Sequence, residues 1–183
     1  LKKLFPRARM TVLGDFGQAI FTQSTNLQDA ESPLFRLYGE TETCLIRLVR
    51  SYRSTREIVE FTKVLLSDAS EIVPFERSGP KPLLARVEDG EMRDARILKD
   101  IAALKAEGFE SIAVITKTAA ESRSAFESLR KHGGEALQLI TKETETFEKG
   151  AMIIPVYLAK GVEFDAVLIY ETSSLAYGRE SDR

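Results

Sequence analysis

Apolar runs of strand length alternate with amphipathic, helix-patterned stretches along most of this chain, and that alternation leaves few folds open. Strands are expected at Arg9–Leu13, Thr43–Val49, Leu83–Val87, Ile112–Thr116, Leu137–Ile140, Met152–Val156 and Ala166–Tyr170. Between them the period changes to that of a helix. Ser54 with Glu57 reads as a capping box before a stripe of Ile58, Phe61, Thr62, Leu65 and Leu66. A second helix, Glu91–Lys105, turns Ala95, Leu98, Ile101 and Ala102 inward. A third opens at Thr118 with Glu121 as its capping partner and ends at Gly133-Gly134. Pro33–Tyr38 can open a short helix, and Thr141–Lys149 reads as an exposed, acidic excursion. Strands that alternate with helices imply βαβ units and therefore an α/β fold built on a parallel sheet.

Composition narrows the function classes. The net charge of −2 gives no global reason to bind nucleic acid, so any such contact has to use local basic patches. Cys44 is the only cysteine, which excludes a disulfide framework and fits a reducing cytoplasm. No apolar run approaches the roughly 20 residues of a membrane span, and no membrane partner is expected. A start without Met, leading straight into a strand, reads as an excerpt from a longer protein, and no signal peptide is recognised.

Three segments can carry chemistry. In Gly14-Asp15-Phe16-Gly17-Gln18-Ala19-Ile20-Phe21, two glycines allow a sharp turn and Asp15 and Gln18 project polar groups from a strand end. Phe21 is either a core aromatic or a platform for a base. Around Tyr52-Arg53, the arginine precedes a helix N-terminus, an electropositive position suited to a phosphate. Tyr52 offers a ring for stacking; equally, it can pack under the helix while Arg53 pairs with Glu57 or Glu60. In Lys160-Gly161-Val162-Glu163-Phe164-Asp165, a cation, a sterically free N–H and two carboxylates are expected together at one sheet edge. Glu163 or Asp165 can accept from a ribose hydroxyl and Lys160 can meet a phosphate, or Lys160 and Glu163 can simply pair.

Taken in order, the three segments resemble one family. GDFGQAIF is similar to motif III of superfamily 1 helicases of the UvrD/Rep type, LVRSYRSTREI to motif IV, and LAKGVEFDAVLIYE to motif V. The variant Ile-Pro-Val-Tyr-Leu-Ala-Lys-Gly resembles the helicase IV/HelD branch, some members of which act on RNA polymerase. The resemblance implies a RecA-like, P-loop NTPase-type sheet with helices on both faces. It implies that residues 1–32 end a first RecA-like domain and that 33–183 form most of a second motor domain.

The same resemblance implies the site. Gln18 senses the γ-phosphate or attacking water, Tyr52 stacks on adenine, and Arg53 is an arginine finger. Lys160, Gly161 and Glu163 line the ATP cleft, with Glu163 on the ribose side. Phe21 and Tyr157 face single-stranded nucleic acid, Tyr157 standing where the UvrD group has His. Ser51 replaces the usual Asn of motif IV, Val162 a Leu, and Gln23 a frequent Trp. No Gly-x-x-x-x-Gly-Lys-Ser/Thr loop or acidic Mg²⁺-binding segment is present, so ATP and Mg²⁺ are expected to be held mainly by an N-terminal motor domain of the same parent chain. This stretch alone is expected not to hydrolyse ATP. The expected partner is single-stranded or duplex DNA; the alternatives are an ATPase that remodels or releases RNA polymerase, or a non-catalytic α/β interaction module.

Overall fold

The computed structural model describes residues 3–13, 39–44, 46, 48–65, 72–134, 136–174 and 176–178. The boundary expected after residue 32, the helix from Pro33, and both Gln18 and Phe21 lie outside the described residues. The chain divides into two compact units, Leu1–Ser78 and Gly79–Arg183.

The second unit is a four-stranded, wholly parallel sheet. Its strands are β3 (Ser111–Thr116), β4 (Leu137–Leu139), β5 (Gly150–Pro155) and β6 (Ala166–Ile169), in the order β4-β5-β3-β6. The central strands are buried on both faces: Ile112, Ala113, Val114, Ala151, Ile153 and Ile154 are all 0% exposed. That explains why these stretches read as continuous apolar runs rather than alternating ones. Ile112 and Val114 pack with Ile97 and Ile101 of α2 (Gly90–Ala106) and Ala125 and Leu129 of α3 (Ala119–Lys131). Ala113, Met152 and Ile154 face the other way, against Ile140 and the half-buried Leu158 and Phe164. Leu158 belongs to a one-turn helix, α4 (Val156–Ala159), so helices flank both faces of the sheet.

Local signals explain where α3 begins and ends. The Thr118 hydroxyl accepts from the Glu121 N–H at 3.2 Å, and the Glu121 carboxylate accepts from the Lys117 N–H at 3.0 Å, a capping box displaced by one residue. At the other end Gly133 adopts φ +100° and the Gly134 N–H donates to the Leu129 carbonyl at 2.9 Å, closing the last turn.

The first unit holds a two-residue parallel pair, β1 (Arg50–Ser51) with β2 (Val73–Pro74), and the helix α1 (Arg56–Lys63). Several expectations are corrected. Arg9–Leu13 forms no strand; Met10, Val12 and Leu13 are exposed, and a strand exists only where a neighbour supplies a ladder. The ladder of the first unit falls on Arg50–Ser51, just past the expected Thr43–Val49, of which residues 45 and 47 lie outside the described residues. Val49 and Ser51 accept from Val73 and Phe75, and Leu83–Val87 stays irregular with Leu83 and Leu84 exposed. The N-cap of α1 is Thr55, not Ser54, and Glu57 accepts from the Ser78 hydroxyl at 2.6 Å instead of closing a capping box. Only Val59 of α1 is buried, whereas Ile58, Phe61 and Leu65 are exposed.

On α2 the buried face carries Asp94, Ile97 and Ile101, while the expected Ala95 and Ala102 are exposed. Asp94 can sit there because partners surround it. Its carboxylate accepts from the Tyr170 hydroxyl at 2.7 Å and, very closely, from the Ser128 hydroxyl. Arg93 lies beside it and also donates to Tyr170 at 2.6 Å. Among the described residues no helix is long and apolar enough to cross a membrane.

Candidate nucleotide and nucleic-acid site

The first unit places Tyr52 and Arg53 in the short connection between β1 and α1. Tyr52 is 63% exposed, so it does not pack under the helix. Its ring lies 5.2 Å from that of Phe75, tilted by 41°. Arg53 precedes the N-terminus of α1, the end of a helix whose dipole favours an anion, although its first N–H, that of Arg56, already donates to the Arg77 carbonyl at 2.8 Å. Its carbonyl accepts from the Arg77 guanidinium at 3.4 Å. Glu60 is taken by Lys63 at 3.1 Å.

In the second unit, the connection from β5 to β6 does not sit at one edge of the sheet. Pro155 pairs with Thr116 at the C-terminal end of β3, whereas Ala166 pairs with Ile112 at its beginning. The chain therefore leaves β5 through α4, crosses the face at Phe164, and enters β6 at the opposite edge. Gly161 makes the reversal after α4 with φ +83°; a Cβ there would meet nothing within 4 Å, so the demand is on backbone conformation alone. Lys160, Gly161 and Glu163 are exposed along this crossing.

Asp165 is committed elsewhere. Its carboxylate accepts from the backbone N–H groups of Ser111 at 2.8 Å and Glu110 at 3.0 Å, and its own N–H donates to the Ser111 carbonyl at 3.0 Å. These bonds, the Ser111 amide first, hold the Asp165 carboxyl below its ordinary pKa. Asp165 thus clamps the start of β6 to the start of β3.

The C-terminal edge of the sheet carries a feature that residue patterns did not reveal. A cavity of about 220 Å³ lies between the N-terminal half of α3, the segment after β4 and Tyr157, and its lining includes Arg123, Thr141, Lys142, Glu143 and Tyr157. The Lys142 ammonium stands 5.6 Å over the Tyr157 ring. Ser122, which also lines the cavity, shares a buried 2.6 Å hydrogen bond with the Thr116 hydroxyl. Lys117, at the end of β3, donates to the Ala176 carbonyl at 2.6 Å and lies 4.9 Å over the Tyr177 ring. The sequence signal for this edge was the Thr118–Glu121 box, which fixes the start of α3; Arg123 follows it. Lys142 carries no such signal, because it comes from a loop more than a whole helix away.

This edge is where parallel sheets bind ligands. An aromatic ring beside two cations suits a phosphodiester backbone with unpaired bases. Among the described residues no group of three His, Cys, Asp or Glu side chains could hold a metal ion.

No protein-family model and no curated protein matches the chain. It is similar to the crystal structure of the C-terminal domain of a possible DNA helicase from Lactobacillus plantarum WCFS1, with 31% identity and a TM-score of 0.61. That likeness covers 72% of this chain and 75% of the other. With the parallel sheet between flanking helices, it makes the fold RecA-like.

Proposed function

Because the chain belongs to the same family as the C-terminal domain of that possible DNA helicase, we propose that it is the second motor domain of an ATP-dependent DNA helicase or translocase. The finer placement is the UvrD/Rep type, in the helicase IV/HelD branch, on the strength of the three motifs in order. The observation that carries the proposal is the 31% identity sustained over 72% of the chain. The exposed Tyr52 ring beside Arg53 at a helix N-terminus adds a chemical reason.

In this reading Tyr52 stacks on adenine and Arg53 stabilises charge on the γ-phosphoryl group. Gln18 orients the attacking water, and Lys160, Gly161 and Glu163 contribute to the cleft wall. ATP and Mg²⁺ are held mainly by a preceding motor domain, which supplies the phosphate loop and the metal ligands. Phe21, Tyr157 and the cavity beside it take the single strand. Positioning and charge neutralisation supply most of the rate in such phosphoryl transfers, and an arginine finger contributes about 10³ to 10⁵ in kcat.

Arg53→Ala in the intact protein is therefore expected to leave ATP binding largely unchanged. DNA-stimulated hydrolysis should fall by about 10³ or more. Turnover within a few-fold of wild type would remove Arg53 from the reaction. Strand displacement is expected of the intact protein, and release of RNA polymerase without any unwinding would overturn the helicase assignment.

A further inference from the structure

We propose that Phe75 is a positioning residue for the nucleotide site: it backs the Tyr52 ring and holds it at the angle from which it stacks. The inference rests on the nucleotide role given above to Tyr52 and Arg53. An exposed tyrosine on a short connection would otherwise exchange rotamers on the picosecond to nanosecond scale. Tyr52 is 63% exposed and Phe75 43%, so the two rings lean on each other while much of Tyr52 stays open to a ligand. Their 5.2 Å separation and 41° tilt lie within the range of favourable aromatic pairs.

Phe75 is itself anchored. Its N–H donates to the Ser51 carbonyl at 2.9 Å, directly before Tyr52, and the Val73 N–H donates to the Val49 carbonyl at 2.8 Å. Two residues on, the Arg77 carbonyl accepts from the Arg56 N–H at 2.8 Å, at the first residue of α1. The Arg77 guanidinium adds a longer bond to the Arg53 carbonyl at 3.4 Å. The segment from Val73 to Arg77 thus brackets Tyr52-Arg53 on both sides, and Phe75 sets its ring against that of Tyr52. A ring held in advance costs less ordering when a base arrives, so its effect belongs in affinity for the nucleotide.

Steady-state hydrolysis of ATP by the intact protein tests this. Phe75→Ala is expected to raise KM for ATP about 3- to 10-fold, the weight of an aromatic pair, with kcat within about 2-fold. Phe75→Leu, which keeps bulk without a ring, should shift KM in the same direction, and Phe75→Tyr should restore it. An unchanged KM in Phe75→Ala overturns the proposal, as does a parallel loss of kcat and melting temperature with no split between KM and kcat. Arg53→Ala run alongside separates the two levels. If hydrolysis survives that change, the role of Arg53 in the reaction fails; if it collapses while Phe75→Ala leaves KM alone, only the role of Phe75 fails.

Discussion

Single residues here act mainly through the backbone groups they hold, and Asp165 is the clearest case. Its carboxylate takes two N–H groups at the start of β3, which keeps its pKa below the ordinary value of about 3.9. A depressed folded pKa gives stability that is fully present above the unfolded pKa and is lost as pH falls through the folded one. Asp165→Asn should therefore melt below the wild type at neutral pH. That gap should narrow as pH falls through the depressed carboxyl pKa and close below it, where both proteins are neutral at this position. A gap of constant size from neutral pH to acid would mean that the charge contributes nothing. Gly161 makes a different demand. With φ at +83° and open space around its Cα, Gly161→Ala should destabilise by about 1 kcal/mol, read by urea unfolding, without any steric repacking.

At the scale of elements, the strongest prediction concerns the contact of α2, α3 and the end of β6. Asp94, 1% exposed, accepts from Tyr170 and Ser128 and neighbours Arg93, and burial pushes the Tyr170 hydroxyl up to about 12. Asp94→Ala should cost about 3 kcal/mol in urea unfolding, the low end for a broken buried pair, because Arg93 keeps Glu171 at 3.2 Å. A loss under about 1 kcal/mol would show that the cluster contributes little net stability. The same cluster explains what sequence patterns missed. The strands Ser111–Thr116 and Gly150–Pro155 were legible because burial on both faces leaves long apolar runs, and α3 because its cap and glycine stop are local. The face of α2 was not, since an Asp becomes a core residue only through Ser128 and Tyr170, remote in sequence. The two-residue β1 and β2 were illegible for a related reason: neither run says which remote segment supplies its ladder. In the site, Tyr52 and Arg53 announce themselves by their place before a helix. The Arg123–Lys142–Tyr157 cavity does not, because three separate segments build it.

For the molecule as a whole, a net charge of −2 means that any grip on a nucleic acid strand has to come from a few placed cations. The C-terminal edge of the sheet offers Arg123 and Lys142, both exposed, around a cavity of about 220 Å³ that Tyr157 also lines. If single-stranded DNA runs over this edge, the two cations meet phosphates and Tyr157 meets a base. Each neutralised phosphate on a single strand contributes about 0.7 to the slope of log affinity against log salt. The double substitution Arg123→Ala with Lys142→Ala should therefore flatten that slope by about 1.4. Affinity should fall to a similar extent for oligonucleotides of different sequence, since phosphate contacts carry no base identity. Tyr157→Ala should behave in the opposite manner, weakening binding while leaving the salt slope alone, because stacking releases no counterions. Fluorescence anisotropy of labelled single strands across a salt series measures both effects in one set of titrations. An unchanged slope in the double variant would take the strand off this edge, however the protein uses ATP.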